Sequence, residues 1–129
     1  MHITLLYAGA LALLFLLLSI KVIQGRSGKD GVNLGDGGKP DMLRVIRGHG
    51  NFAEYVPFIL LMMAMIESSG VFMPWVLHAL GGTLLVARLL HGYALSFTQK
   101  FFLGRFLGTA ATLVVLGVSG GMSIWVGLH

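Results

Sequence analysis

Four long apolar stretches dominate this chain, at residues 2–24, 42–68, 74–97 and 102–128. Each is close to the roughly 20 residues that a helix needs to cross a bilayer. In lipid every backbone N–H and C=O must find its partner inside the element, so apolar segments of this length are helices rather than open strands. The sequence therefore predicts an all-α integral membrane protein, a four-helix bundle forming one domain over residues 1–129. Composition agrees: 56% of the residues are hydrophobic and 11% charged, whereas a soluble domain carries about a quarter charged residues. The chain has no cysteine, which excludes disulfides, thiolate metal sites and a protein-thiol nucleophile together. No metal centre is expected.

The first stretch opens Met1-His2 and runs into Ser19-Ile20-Lys21-Val22. A secretory signal needs a basic start and a small-residue cleavage site after a shorter core, so this segment is expected to be a retained helix. Between the first two stretches, residues 25–40 are rich in Gly, Lys and Asp and predict a flexible polar loop. Pro40-Asp41 suggests a capping region for the second helix, Ser68-Ser69-Gly70 its end, and Pro74 the first turn of the third. The connection from Ser96 to Lys100 is short.

A net charge of +4 and a pI near 9.9 do not here mean nucleic acid. Lys21, Arg26, Lys29, Lys39, Arg44 and Arg47 flank the first loop, and Lys100 and Arg105 flank the third. The N-terminus, the 68–74 connection and the C-terminus carry no Lys or Arg. Such asymmetry places the first and third loops in the cytoplasm and both termini on the other side. Gly104 and Gly108, Gly117 and Gly121, and the Gly81-Gly82 pair offer small-residue surfaces where helix backbones can approach closely.

Ionisable residues within apolar helices are costly unless paired, hydrated or useful. On the second helix Arg44, Arg47, Asn51 and Glu54 follow the three/four spacing of one helical face, with His49 turned away. Arg88 and His91 share a face on the third helix, and Arg105 opens the fourth with Thr109 and Thr112 beneath it. Given the orientation above, all of these lie toward the cytoplasmic side, so a bundle can gather them into one polar site. Within it Arg88 is the expected partner of Glu54. His78 is expected to be a solvated or packing residue, Glu67 to sit cheaply at a helix end, and the methionines at 62, 63 and 65 to face lipid or core. Pro57 leaves the carbonyl of Ala53 without its helical donor, beside Glu54.

These residues taken in order resemble the MAPEG family, the membrane-associated proteins in eicosanoid and glutathione metabolism. The resemblance rests on Arg44, Arg47, His49, Asn51, Glu54 and Pro57 of the second helix, Ala87-Arg88 and His91 of the third, and Arg105 leading the fourth. It covers essentially the whole chain and is closest to small bacterial inner-membrane members; in such a membrane the orientation above puts both termini in the periplasm. It implies a homotrimer that binds glutathione as co-substrate between subunits near the cytoplasmic face, with apolar substrates entering from the membrane lipids. Asn51, Glu54, His91 and Arg105 match glutathione-contacting positions. Arg88 matches an arginine associated with the second-helix carboxylate, Arg47 a structural arginine, and Arg26 a residue contributed by the neighbouring subunit. Two positions depart: Gly50 is basic in the prostaglandin synthase, and Leu95 stands where several enzymes carry a tyrosine that contacts the thiol.

Chemistry points the same way, since glutathione carries two carboxylates and one amine, which a site of several cations and one carboxylate complements. A cation also lowers a thiol's pKa from its free value of about 8.5, and Arg105 is the residue expected to stabilise the thiolate. The leading expectation is thus a glutathione-dependent transferase or peroxidase acting on apolar electrophiles or lipid hydroperoxides. Two alternatives stand beside it: a non-catalytic lipid- or thiol-binding protein of the same type, and a small proton-coupled transporter using Glu54. A transport carboxylate usually sits at the membrane midplane, whereas Glu54 clusters with cations.

Overall fold

The computed structural model describes residues 1–98, 100 and 102–129, and it is helical throughout. Its elements are α1 (His2–Arg26), α2 (Pro40–Ser69), α3 (Pro74–Ser96) and α4 (Phe102–Leu128). The expected helices are therefore present, with α1 and α2 each extended by about one half-turn at the first loop. At the start of α2 the cap is the backbone of Lys39, Pro40 takes the first helical position, and Asp41 lies in the first turn. There its carboxylate faces the positive end of the helix dipole rather than capping it. Gly70, at φ 67, closes α2 in a left-handed conformation that costs a glycine nothing.

α2 and α3 form the centre of the bundle. α1 and α4 each pack against both of them, and among the described residues their backbones do not approach one another closely. Leu11 and Leu18 of α1 meet Phe52, Val56, Ile59 and Met63 of α2, Leu84 of α3 and Val115 of α4 in a continuous core. The outer faces stay apolar: Leu5, Leu6, Leu13, Phe58, Leu61, Met65, Val114 and Ile124 are all exposed, the distribution expected where the solvent is lipid.

Three of the four helices, α1, α2 and α4, are long and apolar enough to cross a membrane. The sequence suggested four. α3 falls short on composition, because His78, Arg88 and His91 dilute its hydropathy. It is also the helix most enclosed by its neighbours, with both Arg88 and His91 buried. A helix that faces protein on most sides need not be apolar all round.

Two of the glycine surfaces are true close contacts. A Cβ on Gly81 would lie 2.2–2.6 Å from the ring of Tyr7, whose hydroxyl donates to the His78 carbonyl at 3.2 Å and lies 3.1 Å from His78 Nδ1. At Gly108 a Cβ would stand 2.6 Å from the carbonyl oxygen of Ala87 and 2.7 Å from His91 Cβ. Gly117 and Gly121, by contrast, face open space.

At the end of the bundle opposite the first loop, Glu67 does more than sit at a helix terminus. Its two carboxylate oxygens accept the backbone N–H groups of Ile3 (3.0 Å) and Thr4 (2.8 Å), and one lies 3.1 Å from the Met1 amino group. These are first-turn donors of α1 that have no partner inside the helix, and α1 has no side-chain cap of its own. Glu67 caps α1 from α2. Glu67→Ala is expected to cost about 1–2 kcal/mol and to raise hydrogen exchange first at Ile3 and Thr4. Unchanged exchange there would mean that the carboxylate does not hold the helix start.

Candidate functional site

The polar stripe of α2 splits into two rows because spacings of three and four do not match 3.6 residues per turn. Arg44 and Asn51, seven apart, form the inner row, and Arg47 and Glu54 the outer one. Arg44 donates through Nη2 to the carbonyls of Ala94, at 3.0 Å, and Thr98. It thereby satisfies acceptors at the C-terminal end of α3, where a cation also suits the helix dipole. Asn51 is half-buried and accepts from Arg88 Nη1 at 2.8 Å. Arg47 and Glu54 remain exposed, 56% and 55% respectively, and pair with each other at 3.7 Å.

The expected Glu54–Arg88 ion pair is therefore not formed. Glu54 projects from the flank of α2 away from Phe52 and Val56, whereas Arg88 lies inside the bundle. Arg88 is fully buried, donating to Asn51, lying over the Phe52 ring with its guanidinium carbon 5.4 Å from the centroid, and placing Nη2 3.2 Å from His91 Nδ1. A guanidinium has donors only, so His91 Nδ1 must accept. That fixes the neutral imidazole with its proton on Nε2. Asn51, Arg88 and His91 thus form one relay from α2 to α3, in which Arg88 orients both neighbours.

Beside this relay a cleft of about 170 Å³ opens between α2, α3 and α4, lined by Arg47, Asn51, His91, Leu95, Arg105 and Thr109. Its polar groups come from three helices, and its floor is set by Gly108, which lets α4 approach the backbone of α3. The sequence-predicted residues Arg47, Asn51, His91 and Arg105 are all brought to it, while Arg88 stands behind its wall. Glu54 lies on its outer margin through Arg47. Arg26 goes elsewhere. Its Nη1 donates to the carbonyls of Val32, Asn33 and Gly35, and so folds the first loop of its own chain.

His49 is turned away as expected, with Nε2 3.1 Å from Ser19 Oγ and its ring stacked on Phe15 at 4.6 Å. Met63 is buried and Met65 exposed, so that cluster divides between core and lipid. The roles of Arg44 and Glu67 escaped the sequence reading. In each the signal was a charge near one helix end, but its partner, the end of another helix, is visible only once the helices are docked.

Residues 4–125 match the MAPEG family. The chain belongs to that family. This MAPEG protein is 37% identical to the inner membrane protein YecN of Escherichia coli (strain K12) over 111 residues, which cover 86% of this chain and 82% of that protein. The YecN protein of Escherichia coli O6:H1 (strain CFT073) matches to the same extent. No solved structure matches the chain at a significant level. Family membership accounts for the order of the motif along three helices. In this chain Arg88 pairs with Asn51 and His91 rather than with Glu54.

Proposed function

We propose that this MAPEG protein is a glutathione-dependent transferase or peroxidase of the bacterial inner membrane, acting on apolar electrophiles or lipid hydroperoxides. The observation that carries the reading is the gathering of Arg47, Asn51, His91 and Arg105 around one cleft beside an otherwise apolar surface. Two arginines can hold the two carboxylates or the thiolate of glutathione, Asn51 and the Nε2–H of His91 can bond its peptide groups, and Glu54 at the margin suits its ammonium. Leu95 contributes an apolar wall that a hydrophobic co-substrate can share.

The cleft is open and its charges are exposed. Arg47, Glu54 and Arg105 at that level of a lipid-facing surface are costly unless something polar covers them. A second copy of the chain seated on this flank would do so, which supports a homotrimer with the thiol held between subunits. In the same reading all four helices cross the membrane, α3 shielded by the others, with both termini periplasmic.

In the transferase reaction the thiol loses its proton to solvent, Arg105 stabilises the thiolate, and sulfur attacks the electrophilic carbon as the leaving group departs with its electron pair. With a hydroperoxide two glutathione thiols supply two electrons. The O–O bond breaks to give alcohol and water, and the thiols leave as glutathione disulfide.

Titrating the purified protein with glutathione while following thiolate absorbance tests the reading. Wild type is expected to give a thiolate signal. Arg105→Ala is expected to lose it, together with about a hundredfold in turnover, while the oligomer stays intact. Unchanged rates in Arg105→Ala would remove that arginine from the mechanism. Leu95, buried where a thiol-contacting tyrosine would stand, favours a second reading in which the cleft binds a thiol or lipid without turnover. Saturable glutathione binding with no thiolate signal would select it.

A further inference from the structure

A second cavity lies away from that cleft. About 720 Å³ opens where the end of α1, the first loop and the start of α2 meet, a volume within the range of small-ligand sites. Its wall is built rather than slack. Arg26 ties three loop carbonyls, Val32 N donates to the Gly25 carbonyl at 3.1 Å, and Lys39 Nζ donates to the Asp30 carbonyl at 2.6 Å. Val32 is buried by this folding.

The lining has three kinds of surface. Lys21 and Lys39 bring two cations, Asp30 and Asp41 two carboxylates, and Val32, Met42 and Val45 an apolar floor. The cavity sits at the end of the bundle where the apolar helices give way to the polar loop, which is the headgroup layer of a bilayer. Directly below it the outer face of α1 exposes Leu16, Leu17, Ile20 and Ile23, a surface for acyl chains.

We propose that this cavity binds the headgroup of a zwitterionic phospholipid bearing a primary ammonium, phosphatidylethanolamine in chemical terms. Lysines face the phosphate, carboxylates face the ammonium, and the apolar floor takes the glycerol end. An anionic headgroup would meet the two aspartates without a cation to offer them. A quaternary ammonium has no N–H to donate to a carboxylate, and the described lining holds no aromatic ring to cage one. Charge-assisted bonds from the ammonium are the discriminating feature.

The test is native mass spectrometry of the full-length protein, released from bilayers of phosphatidylethanolamine, phosphatidylcholine and phosphatidylglycerol with matched chains. Wild type is expected to retain the ethanolamine lipid about tenfold over the other two. Asp30→Asn should erase that preference, whereas Lys21→Ala, which removes a partner of the phosphate common to all three, and Val45→Phe, which narrows the cavity without altering charge, should each lower retention of all three. Equal retention of the three lipids by wild type, an unchanged preference in Asp30→Asn, or unchanged retention in Lys21→Ala would overturn the proposal. Displacement of the lipid by soluble phosphoethanolamine at equal concentration would overturn the lipid assignment and give the site to a soluble phosphate ester.

Discussion

Replacing Arg88 by alanine is expected to destabilise the protein by about 3–5 kcal/mol, the largest effect of any single polar substitution in the bundle. Arg88 is fully buried and is the hub between Asn51 on α2 and His91 on its own helix. Alanine leaves a cavity where the guanidinium lay against Phe52. It also strands Asn51 Oδ1 and His91 Nδ1 without a donor, each a desolvated acceptor. Unfolding in one detergent, followed by loss of helical signal, measures the cost. A methionine at the same position separates the causes, because it keeps most of the volume and removes the charge. Arg88→Met avoids the cavity but strands the same two acceptors, so it is expected to recover part of the loss and to remain about 1–3 kcal/mol below the parent. Both variants should lose the glutathione binding proposed for the cleft, since Asn51 and His91 are no longer held in place. An alanine variant as stable as the parent would mean that Arg88 is not the strut the hydrogen bonds suggest.

Much of this architecture was legible in the sequence because lipid leaves few options. Four apolar lengths separated by Gly, Pro and charged connections predict the four helices observed. The candidate cleft was legible for the same reason: Arg47, Asn51, His91 and Arg105 are polar at matching depths. What the sequence could not supply was rotation. Glu54 and Asn51 are three residues apart and look equivalent along a stripe, yet that spacing turns one outward toward Arg47 and the other inward to Arg88. Arg26 shows the second limit. The family resemblance matched it to a residue contributed by a neighbouring subunit; within its own chain its Nη1 holds three loop carbonyls, and the fold of a glycine-rich loop is not written in its periodicity. The lower hydropathy of α3 has a related reason. The helix that carries the site is the one whose polar residues are enclosed by its neighbours.

Gly108→Leu should be the most damaging change at the α3–α4 contact, about 3 kcal/mol in stability, with loss of the cleft even where the fold survives. The atoms a side chain would meet are the carbonyl oxygen of Ala87 and the backbone nitrogen and Cβ of His91, at 2.6–2.9 Å. None is the flexible tip of a side chain, so the strain can be relieved only by moving α4 away from α3. Arg105 lies on α4 one turn before Gly108 and is the only cation that α4 contributes to the cleft, so displacement withdraws the proposed thiolate-stabilising group. Glutathione titration should then fail in a variant that still retains its helices. Gly117→Ala is the matched comparison. A Cβ there meets nothing within 4 Å in the single subunit, and alanine is the better helix former by about 1 kcal/mol, so the lone chain should tolerate or gain from it. If Gly117 and Gly121 instead face a second copy, the same alanine should weaken the oligomer, read as a shift in mass by light scattering with helix content unchanged. An unchanged mass in Gly117→Ala would mean that no subunit contact is made through this face of α4. A Gly108→Leu protein that keeps both its stability and its glutathione binding would mean that the two helices do not need the close approach on which the cleft is built.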